Sequence, residues 1–72
     1  MSKEANLKAF GNRVKELRTK QKLTQAQLAE MIGLSTNFIG MIERGERNTA
    51  IDKVFKLANA FNIPLSKFFE TL

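Results

Sequence analysis

The chain has no cysteine and no histidine. Without cysteine there is neither a disulfide framework nor a thiolate metal site, a composition that suits a reducing compartment. Without histidine the usual general base and the commonest metal ligand are both missing. The apolar runs fall far short of the roughly 18 residues that span a bilayer, and the polar opening MSKEAN is no signal peptide. The acids are scattered, no glycine-rich phosphate loop is present, and no nucleophile has a base at recognisable spacing. These absences argue against an enzyme and against a metal, cofactor or small-molecule ligand. They favour a soluble, cytoplasmic chain that keeps clear of the membrane.

What the sequence does have is basic charge and helical periodicity. Twelve Lys and Arg against seven Asp and Glu give a net charge of +5, which favours a polyanionic partner. Lys8, Arg13, Lys15, Arg18, Lys20 and Lys22 crowd the first third of the chain; a solvated helix face is the plainer reading of that cluster. Seventy-two residues make one domain, 1–72. So short a chain draws little stability from its own core, and a second copy would add to it.

Apolar residues recur at steps of three and four, the spacing of helices and not of strands. Leu7, Phe10, Val14 and Leu17 give one face of a helix from about Asn6 to Lys20. Thr24 with Gln27 forms a capping box, and Leu23 can pack on Leu28 as a hydrophobic staple, so a second helix starts at Gln25. It turns Leu28, Ala29 and Ile32 inward and ends at Gly33, a residue suited to a left-handed cap. Ser35 caps a third helix with Ile39 and Ile42 on its inner face, and Gly45 ends it. Thr49 with Asp52 is a weaker cap pair for a fourth helix, in which Ile51, Val54, Leu57, Ala58 and Phe61 face the core. Asn62 stops that helix, and Pro64 opens a last one, PLSKFFETL, with Leu65, Phe68, Phe69 and Leu72 along one side. The expected fold is therefore all-α, with five short helices.

Two short helices joined by a tight glycine turn make a helix-turn-helix, at about 24–44, whose second member can enter a DNA major groove. The stretch LTQAQLAEMIGLSTNFIGMIERGER resembles the helix-turn-helix of phage lambda-type repressors, the Cro/C1 or XRE-like family, at Leu23, Thr24, Gln25, Leu28, Ala29, Gly33, Leu34, Ile39, Ile42, Glu43 and Gly45. With Arg18 before it and LANAFNI after it, the resemblance covers about 7–69. It implies a compact lambda-repressor-like DNA-binding domain in which Arg18 and Glu43 form a structural ion pair between the first helix and the end of the third. It also implies that Thr36, Asn37, Gly40 and Met41 reach base edges and that Gln25 bonds a phosphate. Where the family often has proline this chain has Thr49, and IERGERN more narrowly resembles the controller proteins of restriction-modification systems.

The chemistry of those residues fits the assignment. Asparagine can bond adenine bidentately, threonine can bond a base or meet a thymine methyl, and Met41 offers apolar contact. Gly40 gives up about 1 kcal/mol of helix propensity, which makes sense if a side chain there would hold the helix out of the groove. Ser35, Arg44, Arg47 and Asn48 join Gln25 as candidate phosphate contacts. Phe38 suits either the edge of the core or the DNA backbone. One reading helix covers few base pairs, so specific binding to double-stranded DNA calls for a homodimer. Phe55, off the core line of its helix, and Leu65, Phe69 and Leu72 are the candidate interface. The expected function is a homodimeric transcription regulator, repressor or activator, on an inverted-repeat operator, with control of a restriction-modification operon as the narrower form. An antitoxin-type protein-interaction module on the same scaffold is the alternative.

Overall fold

A computed structural model describes residues 2–72 and shows five helices: α1 (Lys3–Lys20), α2 (Gln25–Ile32), α3 (Thr36–Glu43), α4 (Ile51–Ala60) and α5 (Leu65–Phe68). Among the described residues there is no strand, and no helix is long and apolar enough to cross a membrane.

α1 begins at Lys3, three residues before the expected start at Asn6, because the Ser2 hydroxyl accepts the Ala5 N–H at 3.1 Å and caps the first turn. It ends where Lys22 takes a left-handed φ of 60° and the Leu23 N–H returns to the Arg18 carbonyl. α2 is closed at both ends by local chemistry. Thr24 and Gln27 satisfy each other's backbone N–H groups at 3.0 and 2.8 Å, and Gly33 ends the helix at φ 71°. Ser35 then caps α3 by accepting the Phe38 N–H at 3.0 Å.

The fourth helix departs from the sequence reading at its start. Its N-cap is Ala50, which offers no side-chain oxygen. Thr49 does not cap: its hydroxyl is buried and has no hydrogen-bond partner among the described residues. Ile51, read as core, is 66% exposed, because it stands in the first turn of α4 and to one side of the Val54, Leu57 and Ala58 stripe. The last helix is also shorter than the apolar spacing implied. Pro64 is its N-cap, Leu65–Phe68 its whole length, and Phe69 already lies at its C-cap.

One core unites the helices: Val14 and Leu17 of α1, Leu28, Ala29 and Ile32 of α2, Ile39 and Ile42 of α3, Leu57 and Ala58 of α4, then Phe61 and Phe68. Phe68 is fully buried, with its ring 5.6 Å from that of Phe10 and 6.4 Å from that of Phe61. α1 and α3 meet backbone to backbone at Gly11. A Cβ there would lie 2.8 Å from the Glu43 carbonyl oxygen and nearer still to that of Ile42.

Arg13 was read as part of a basic surface, but it is buried. Its Nε donates to the Phe68 carbonyl at 2.7 Å and its Nη2 to the Lys67 carbonyl at 2.8 Å, while Nη1 pairs with Glu16. A guanidinium from α1 thus closes the C-terminal end of α5, where carbonyls lack intrahelical partners and positive charge is favoured. Gln21 does the same for α4, donating from Nε2 to the Phe61 carbonyl at 2.8 Å.

Candidate nucleic-acid interface

The site is built on α3, and α3 is held from behind. Ile39 and Ile42 are each 1% exposed and face the core, leaving Thr36 and Asn37 exposed on the first turn. Behind the helix, the buried Glu43 carboxylate receives three hydrogen bonds. Arg18 Nε donates to Oε2 at 2.6 Å, Arg18 Nη2 to Oε1 at 3.0 Å, and Gln25 Nε2 to Oε1 at 3.1 Å. Arg18 Nη1 also donates to the Leu23 carbonyl at 2.8 Å. One carboxylate therefore ties α1, the start of α2 and the end of α3 together. Its cost of burial is offset because all its bonds are charge-assisted or aimed at a full charge.

Two helices start within this helix-turn-helix, at Gln25 and at Thr36. In each, one first-turn N–H is taken by the capping hydroxyl, that of Gln27 by Thr24 and that of Phe38 by Ser35. The earlier first-turn N–H groups, at Gln25 and Thr36 among others, point out of the helix ends, and such donors with the helix dipole favour an anion. The Gln25 side chain is less free than the sequence implied, since its amide is engaged by Glu43.

Gly40 does not stand bare on the outer face: it is buried. The Arg44 side chain folds back over it, so that a Cβ at position 40 would lie 3.0 Å from Arg44 Nη1 and 3.7 Å from Gln25 Oε1. Gly40 makes room for an arginine, and the outer row of α3 reduces to Thr36, Asn37 and the half-buried Met41. Phe38 is half-buried against the core, with the Arg47 guanidinium 5.2 Å above its ring. Arg44, Arg47 and Asn48 are exposed in and just after the turn at Gly45, and the Asn48 carboxamide oxygen accepts the Thr49 N–H at 2.8 Å.

Several large apolar side chains outside α3 are exposed. Phe55 is 50% exposed, Leu72 52% and Phe69 39%, while Leu65 is half-buried against the core. Ile51, one turn before Phe55 on α4, belongs to the same kind of surface and was missed by the sequence reading. Its position in the first turn, off the core stripe, was the signal that could have found it.

Five short helices, a helix-turn-helix at α2 and α3, and an outward-facing polar row on α3 define a lambda-repressor-like helix-turn-helix domain. The helix-turn-helix family matches residues 14–68, and the chain belongs to it. The control protein C.SmaI of Serratia marcescens is 41% identical over 54 residues, 75% of this chain and 64% of that protein. The immunity repressor of Bacillus phage phi105 is 39% identical over 56 residues, 78% of this chain but 39% of the repressor. The chain thus spans well under half the length of that repressor. Among solved structures, the restriction-modification controller protein C.AhdI from Aeromonas hydrophila superposes with a TM-score of 0.86 at 42% identity, covering 90% of this chain and 98% of that one.

Proposed function

We propose that this chain is a homodimeric, sequence-specific regulator of transcription that binds duplex DNA at an inverted-repeat operator. The observation that carries the reading is the two-sided construction of α3. Its inner face is locked by Ile39, Ile42 and the Glu43 network. Its outer first turn presents Thr36 and Asn37 with no intramolecular task for their side chains among the described residues.

In this reading α3 lies in the major groove. Thr36 and Asn37 read base edges and Met41 adds apolar contact, while Gly40 acts only by seating Arg44. The N–H groups at the starts of α2 and α3, the Ser35 hydroxyl, Arg44, Arg47 and Asn48 fix the helix in register on phosphates, and Phe38 supports Arg47. Two copies pair through Ile51, Phe55, Leu65, Phe69 and Leu72, placing half-sites about 10 base pairs apart or a multiple of that. Regulation is by occupancy, either blocking polymerase at an overlapping promoter or recruiting it from an upstream site. Similarity to two controller proteins supports a restriction-modification operon as the target.

Selection of bound sequences from a random duplex library at about 150 mM salt tests the proposal, because purely electrostatic binding is weakened there. An enriched inverted repeat is the expected result. A folded protein that enriches no motif refutes it.

A further inference from the structure

The turn that closes α3 reads Arg44, Gly45, Glu46, Arg47, and its two arginines are held in different ways. Gly45 adopts a φ of 73°, and the Glu46 N–H donates to the Met41 carbonyl at 2.9 Å. The chain therefore doubles back and fixes Glu46 beside the last turn of the helix. There Glu46 Oε1 lies 3.0 Å from Arg44 Nε. The same guanidinium rests over Gly40, so bare helix surface on one side and a carboxylate on the other hold it in place. Arg47 lies instead over the Phe38 ring, and among the described residues it has no carboxylate partner. Side chains of Arg44 and Glu46 are 54% and 55% exposed, so the pair faces solvent.

We propose that Glu46 is an intramolecular stand-in for a DNA phosphate at Arg44, and that it sets how strongly the protein holds random DNA. The proposal rests on the DNA-binding reading above. An exposed ion pair contributes little to folding, so the consequence of this one falls on binding. A phosphate that engages Arg44 must displace a carboxylate already seated there and then lie beside its charge. Arg44 accordingly supplies only part of a phosphate contact. Binding without sequence preference consists almost entirely of such contacts, and weakening one of them releases protein from the bulk of the DNA. The base contacts offered by Thr36 and Asn37 are untouched.

The test is titration of a fluorescent random-sequence duplex, followed by anisotropy, from about 50 to 200 mM salt. Glu46→Gln should bind several-fold tighter than the native chain at the low-salt end. Its slope of log affinity against log salt should steepen, by less than about one unit, as a partial phosphate contact becomes complete. Glu30→Gln makes the same charge change on α2 and should gain less. In an Arg44→Ala background, the gain from Glu46→Gln should fall to that of Glu30→Gln. Helix content by circular dichroism should be the same in all variants, because Arg44 and both acids are exposed. A gain equally large in the Arg44→Ala background, or none in the native one, overturns the proposal. Failure of the native chain to bind any duplex is a different result, which removes the regulator reading and this proposal with it.

Discussion

Replacing Arg13 by Ala should unfold much of what the last helix contributes. α5 has four residues and no side-chain N-cap, so little in its own sequence sustains it. Its last turn is held by Arg13, which is 7% exposed and donates to the Lys67 and Phe68 carbonyls. Hydrogen bonds from a charged donor contribute about 1.5–3 kcal/mol each. Losing two of them, with the Phe68 carbonyl left in a buried site and Glu16 left without its cation, puts the cost at about 3–5 kcal/mol. A domain of this size has only about 4–11 kcal/mol in total, so the melting temperature should fall by more than 10 °C, on the order of 4–8 °C per kcal/mol. Arg13→Met retains the aliphatic stem and separates packing from capping; it should recover a minor share of the loss. The assay is thermal and urea unfolding by circular dichroism at one fixed protein concentration, because dimerisation would shift the transition by mass action. An Arg13→Ala protein within about 0.5 kcal/mol of the native chain, the range of an ordinary surface change, would refute the capping argument.

Glu43→Ala should cost about 3–5 kcal/mol in urea unfolding by leaving Arg18 unpaired, and the double change Arg18→Met with Glu43→Leu should cost less than either single one. Gly11→Ala forces a methyl against two α3 carbonyls, and a melting temperature equal to that of the native chain would contradict the backbone contact described here. On selected operator DNA, Asn37→Ala should weaken cognate binding far more than random binding, whereas Arg47→Ala should weaken both alike and flatten the salt slope by about one unit. Phe55→Asp and Phe69→Asp should each sediment as monomers with native helix content, and persistence of a dimer in both would move the interface elsewhere.

The helix-turn-helix was legible in the sequence because its signals are local. A hydroxyl at Thr24 with an amide at Gln27, glycine at 33 and a hydroxyl at Ser35 each act on backbone groups within a few residues, and all of them bond or turn as their types dictate. Part of what escaped was set by parts of the chain far away in sequence. α5 is bounded by a guanidinium 55 residues earlier, which no apolar spacing can reveal. Thr49 has the chemistry of a cap, yet its hydroxyl is enclosed and the neighbouring Ala50 takes the position. Ile51 lies about 70° around α4 from the mean direction of its core residues at 100° per residue, close enough for an isoleucine to be counted as inward. Gly40 was expected to be bare for the sake of a groove, but the side chain of Arg44 from the same chain lies over it. The basic first helix likewise concealed a division of labour, since Arg13 and Arg18 are spent on internal carbonyls and a carboxylate.

The meeting of α1 and α3 at Gly11 is a contact between main-chain atoms. A contact of that kind has no rotamer to adjust and no methylene to add or trim, so the tilt of α3 is insulated from drift in the side chains around it. Thr36, Asn37 and Met41 lie on the other side of the helix and take no part in that joint. In the DNA-binding reading proposed above, the vocabulary of such a chain can change while its grammar is kept: the residues on the outer row of α3 are free to vary, whereas the angle at which they are presented is inherited with the backbone.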